Sequence, residues 1–174
     1  SGQIDEEKKQ IESSFVPYFR YDDDIAKAGE AQLIENFKVA WELHTADSIR
    51  TDSARYEEFL LKLYKKFESR GIIRYNPAIE GKDSYFQLRL IQGNVVAVTT
   101  LGQLFDIRSA IEDTRKSIEK LNVSDSILLQ NVISRSLVQN VIFDESKNKT
   151  EKEELVKNIS TTRGLVQKGE LIIS

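Results

Sequence analysis

The sequence predicts an α+β domain in which several long amphipathic helices pack with short antiparallel strands and hairpins. Three observations predict it. Apolar residues recur at three- and four-residue spacing over long stretches, the strand-like runs are short, and the two kinds of segment are mixed rather than alternating as βαβ units would. With 174 residues, 40% of them hydrophobic and 30% charged, the chain is long enough to bury a core without staples and too rich in aliphatic and aromatic side chains to stay unfolded.

Ile4 to Ser14 is charged and helix-favouring, whereas Pro17 and its aromatic neighbours make Phe15 to Tyr21 extended. Asp22, Asp23 and Asp24 are placed to cap a helix running from Ile25 to about Leu43, with Leu33, Phe37, Ala40 and Trp41 along one face. Thr51 to Arg70 gives the clearest helix, and its periodicity sends Tyr56, Phe59, Leu60, Leu63, Tyr64 and Phe67 to the core. Gly71 suits a left-handed cap, followed by a short strand at Ile72–Tyr75. Tyr85–Ile91 alternates, and Gln92-Gly93-Asn94 turns it into Val95–Thr100, a hairpin with one buried face.

Two more helices follow, Leu104–Leu121 through Ile107, Ile111 and Ile118, and Ser124–Val138 through Leu129, Val132, Ile133 and Leu137. After Val141-Ile142-Phe143, a polar stretch leads to a short charged helix from Thr150 to about Asn158, and Gly164–Ile173 reads as two strands around Lys168-Gly169. The whole is expected to be one domain, residues 1–174. Within it, segments 1–24 and 140–174 would form one sub-lobe and 25–139 the helical main body.

Net charge is −3 with both signs interspersed, so nucleic acid is not an expected partner. The absence of cysteine excludes disulfides, thiolate zinc sites and cysteine nucleophiles, and leaves the compartment open. His44 is the only histidine and is followed by Thr45, so no His-based triad, His-Asp metal pair or HExxH helix can be assembled; a structural role is expected for it. The Asp22–Asp24 triplet lacks the spacing of a calcium loop, and the glycines form no phosphate-cradling motif. No catalytic residue, metal ligand or cofactor is therefore expected in this segment. Asn122, Asn148 and Asn158 match the glycosylation pattern about as often as chance supplies it and are assigned no function.

Tyr18, Arg20 and Tyr21 are the candidate ligand-lining residues, because aromatics flanking an arginine can stack on a ring; the plainer reading is a strand with alternate faces buried. No apolar run approaches the length of a membrane span, and Ser1-Gly2-Gln3 has no signal-peptide character. The chain begins without Met and stops within the apolar run Leu171–Ser174, and is expected to be a segment excised from a longer protein.

The final third carries Asn140-Val141-Ile142-Phe143-Asp144, then Thr150-Glu151-Lys152-Glu153, then Arg163-Gly164-Leu165-Val166-Gln167-Lys168-Gly169-Glu170-Leu171-Ile172-Ile173; near the start stands Val16-Pro17-Tyr18-Phe19-Arg20-Tyr21-Asp22. In order and spacing these resemble the extracellular domain of the seven-transmembrane HD family of bacterial phosphohydrolases, with wording similar to members from Bacteroidetes-type bacteria. Pro17, Asp22, Asn140, Asp144, Thr150, Arg163, Gly164, Gly169 and Glu170 carry the resemblance. The middle of the chain carries none of it.

The resemblance implies a membrane helix before the domain, a bundle of membrane helices after it, and a metal-dependent cytoplasmic HD domain that hydrolyses cyclic di-AMP. This segment would then lie on the periplasmic face of the inner membrane as a non-catalytic sensory or regulatory domain. It would take an unidentified extracytoplasmic ligand or envelope component as its partner, with a homodimer also allowed. The alternative is an assembly or envelope-anchoring module. A domain inserted between membrane helices must return its chain to the same side, and pairing of Phe15–Tyr21 with the Leu165–Ile173 hairpin would accomplish that.

Overall fold

The computed structural model describes residues 2–44 and 53–173. Asp22 opens α2 (Asp23–His44): its carboxylate accepts the Ile25 amide at 3.0 Å, satisfying one of the donors a helix start leaves unpaired. The helical periodicity of α2 then buries Ala26, Gly29, Leu33, Phe37 and Trp41. They meet Tyr56, Leu60, Leu63, Tyr64 and Phe67 of α3 (Ser53–Arg70) and Leu129, Val132 and Ile133 of α5 (Ser126–Ser136). Thr51, the expected start of α3, lies outside the described residues.

Expectation and structure differ on two side chains of this body. Phe59 is half-buried at the margin of the core, one step round α3 from the residues that face α2. Ile111 is exposed on α4 (Ile107–Glu119), whose buried face is Ala110, Thr114 and Ile118. The start of α4 is set by a reciprocal cap: Asp106 accepts the Ser109 amide at 2.7 Å and its own amide donates to the Ser109 hydroxyl at 3.0 Å.

The sheet is mixed, in the order β3-β2-β1-β4. β2 (Gln87–Gln92) and β3 (Val95–Thr100) form the expected hairpin around Gly93, and β1 (Tyr18–Tyr21) lies parallel to β2 and antiparallel to β4 (Val141–Phe143). The strands are thus not all antiparallel. Leu88 and Leu90 are buried, but Val95, Val96 and Val98 are exposed, because β3 is an edge strand. The expected strand at Ile72–Tyr75 is reduced to two isolated bridges, Ile72 to Phe105 and Ile73 to Val141. Gly71 ends α3 with φ +97°, and an added Cβ there would come within 2.6 Å of Val141 Cγ2, so both conformation and space call for glycine.

The C-terminal hairpin does not form. Glu145–Ile173 is a single helix, α6, so Phe15–Tyr21 has no strand there to pair with. Asp144 starts α6 by accepting the Lys147 amide at 2.9 Å, strong helix formers occupy much of residues 150–157, and no proline follows to stop it. Gly169, read with Lys168 as the turn between two strands, and Gly164, read as the start of the first of them, are carried inside the helix at roughly 1 kcal/mol each relative to alanine.

The two terminal helices still meet. α1 (Gly2–Ser14) packs on α6, and Lys152 Nζ lies 2.8 Å from a Glu12 carboxylate oxygen. β1 follows α1 and the antiparallel β4 precedes α6, so both terminal helices leave the sheet at the same end.

Candidate functional site

Alternation along β1 divides the three candidate residues between two faces. Phe19, fully buried, and Tyr21 face the core; Tyr18 and Arg20 face the other way. Tyr21 donates its hydroxyl to the Arg70 carbonyl at 3.0 Å, and burial pushes its phenol up from the ordinary tyrosine value. Tyr21 is therefore a structural tie between β1 and the end of α3. Tyr18 and Arg20 stand at the seam between sheet and terminal helices.

At that seam the backbone of Tyr18 is held by one side chain. Asn148, buried in the second turn of α6, accepts the Tyr18 amide at 2.8 Å and donates to the Tyr18 carbonyl at 2.8 Å, as it does to the Asp144 carbonyl at 2.7 Å. The Tyr18 ring is flanked by cations, the Arg89 guanidinium 5.2 Å and the Lys147 ammonium 5.5 Å from its centroid; a hydrogen bond from Lys147 to Glu151 holds that ammonium's pKa above the ordinary lysine value. Lys152 lies 5.2 Å from the Phe15 centroid in the same cluster. Asn148 matched only the glycosylation pattern in the sequence; an amide one turn after an aspartate cap was the signal that could have marked it.

Arg20 sits between two helix caps. Its guanidinium is 3.8 Å from Asp22, which caps α2, and 3.8 Å from Asp144, which caps α6. Beside it lies a depression of 390 Å³, lined by Arg20, Arg74, Tyr75, Asn76, Ile142 and Asp144 among others. A second, more apolar cleft of 560 Å³ lies between the end of α2 and α5, where His44 Nε2 is 3.3 Å from Asp125 and Leu43 and Ile127 are exposed. The structure therefore sets His44 against the Asp125 carboxylate.

The remaining motif residues have structural work. The Pro17 carbonyl accepts the Arg89 amide at 2.8 Å, joining β1 to β2. Asn140, buried, accepts the Ile72 amide at 2.8 Å and donates to the Glu68 carbonyl at 2.9 Å, tying the end of α3 to the strand region. Thr150 is exposed on α6; Gly164 and Gly169 lie within that helix, and the side chains of Arg163 and Glu170 lie outside the described residues.

Among the described residues, no group of three or more His, Cys, Asp and Glu is placed to hold a metal ion, and no helix is long and apolar enough to cross a membrane. The arrangement offers exchangeable ion pairs and open arginine donors at the point where two helices enter and leave a sheet. It is the architecture of an α+β module whose ends emerge together. The family model described as 7TM-HD extracellular matches residues 3–174, and the chain belongs to that family, the extracellular domains of seven-transmembrane HD proteins. Its place is accordingly extracytoplasmic. No curated protein and no solved structure matches it.

Proposed function

We propose that this domain is the non-catalytic sensory part of a membrane-bound HD phosphohydrolase, binding a signal outside the membrane and biasing cyclic-di-AMP hydrolysis in the cytoplasm. One observation carries the reading: β1 and β4 are adjacent strands, each continuous with a terminal helix, and Asn148 clamps one to the other. A change at the seam has a short route into both α1 and α6. The physical requirement is a ligand with different affinities for two arrangements of that seam, since equal affinities would shift nothing.

The test is the rate of cyclic-di-AMP hydrolysis by the intact membrane protein carrying Asn148→Ala, at matched amounts in the membrane. A rate altered several-fold supports coupling through the clamp. An unaltered rate, with circular dichroism showing the variant domain folded, rejects it.

A second reading, an assembly or envelope-anchoring module, draws on the β3 edge. Val95, Val96 and Val98 are exposed there, and residues 91–105 carry no charge in a chain that is 30% charged. Such an unguarded edge accepts an added strand. Two copies joined edge to edge through antiparallel β3 strands would turn the helix-bearing ends of their sheets in opposite directions, which two proteins in one membrane cannot satisfy. The strand-addition reading therefore calls for a different chain, and Val98→Lys abolishing its capture in the envelope is the observation that would establish it.

A further inference from the structure

We infer that the depression beside Arg20 is a binding site for a small zwitterion of the amino-acid or dipeptide class. Its carboxylate would be held by Arg20 and Arg74, and its ammonium group by Asp144 and Glu145. The inference rests on the sensory reading and supplies the class of signal.

Both arginines have donors to give. Among the described residues Arg20 makes only its two 3.8 Å ion pairs, too long for hydrogen bonds, and its side chain remains about half exposed. Arg74 is pinned through its backbone, whose amide donates to the Val141 carbonyl at 2.8 Å, while its exposed side chain has no hydrogen bond or ion pair among the described residues. Two guanidinium groups on one rim suit a carboxylate, which accepts paired N–H donors from each.

Charge balance selects among ligands. The lining holds two cations, Arg20 and Arg74, and two anions, Asp144 and Glu145. A simple anion such as phosphate would meet the carboxylates as well as the arginines, and a metal cation would meet the arginines. A molecule bearing both charges satisfies both sets. Ile142, paired with Arg20 across β1 and β4, gives the depression an apolar side, and at 390 Å³ it stands near the lower end of the roughly 300–1,000 Å³ range of ligand sites, which limits the occupant to a small molecule.

Binding there would reach α6 directly. One oxygen of Asp144 takes the Lys147 amide at the helix start and the other faces Arg20. A ligand ammonium drawing on the same carboxylate, while its carboxylate draws Arg20 away, exchanges the link between the caps of α2 and α6 for links through the ligand.

The experiment is calorimetric titration of this chain with the free L-amino acids and a set of dipeptides. Acetate, methylamine and inorganic phosphate serve as single-charge probes. At least one zwitterion should bind at least tenfold more tightly than any single-charge probe, and Arg20→Gln and Arg74→Gln should each weaken it at least tenfold, with Arg115→Gln without effect. Arg74→Gln removes no contact within the described fold, so its loss of binding cannot be put down to misfolding. Absence of binding by every zwitterion, phosphate or acetate binding as tightly as the best of them, or unchanged binding by Arg74→Gln would overturn the site. If Asn148→Ala alters hydrolysis while no zwitterion binds, the sensory reading stands and this site falls.

Discussion

The helical body and the seam between sheet and terminal helices are held together by different physics. In the body, aromatic and aliphatic side chains interlock: Phe67 meets Phe105 edge to face at 4.9 Å, and Trp41 meets Tyr56 at 5.5 Å. At the seam, Asn148, the Asp144 cap of α6 and Arg20 add hydrogen bonds and long ion pairs to the apolar contacts. Apolar packing resists rearrangement because any displacement opens a cavity, whereas a polar contact can be exchanged for another of similar strength. The body is therefore the fixed part, and the seam the part that a bound molecule can alter.

The largest expected effect lies in the body. Phe67 is 1% exposed, and Phe67→Ala should destabilise the domain by about 3–5 kcal/mol, through lost burial and the cavity left against Phe105. Chemical denaturation checks it. A loss below about 1 kcal/mol would show that the body repacks readily, and the contrast with the seam would be lost.

At the seam, Asn148→Ala should cost less, about 1–3 kcal/mol, because the Tyr18 amide loses its partner in a half-buried position while the Tyr18 carbonyl keeps the Asp144 amide at 3.1 Å. Its distinguishing mark is locality. Amide exchange should quicken at Tyr18 and in the first turns of α6 while protection at Leu60 and Leu129 stays near the wild-type value. Uniform loss of protection would mean that seam and body unfold as one unit.

The body was the more legible region. Three- and four-residue spacing marks the buried face of α3 without knowledge of its neighbours, and the hairpin turn and Gly71 announce themselves through local backbone requirements. The seam depends on partners distant in sequence. Arg20 could be singled out among its aromatic neighbours, but that Asp144 lies across from it follows only once β1 and β4 are paired. The last stretch of α6 misled for a local reason: glycines at 164 and 169 among apolar residues satisfy a hairpin pattern, while continuation of a capped helix without proline prevails.

The smallest expected effect concerns the ion pair between α1 and α6. Glu12 is largely exposed and Lys152 about one-third exposed, so water and salt screen the pair and both side chains lose freedom in forming it. Glu12→Gln should therefore change stability by no more than about 1 kcal/mol, and the difference from wild type should vanish in roughly 1 M salt. Lys152 also lies over the Phe15 ring at 5.2 Å, a contact that Glu12→Gln leaves intact, so Lys152→Ala should cost more than Glu12→Gln and retain part of its effect in salt. Equal costs for the two variants would assign the whole interaction to the ion pair. A larger cost for Lys152→Ala places the junction of the two terminal helices on the aromatic cluster around Phe15 and Tyr18, contiguous with the Asn148 clamp and the Arg20 caps.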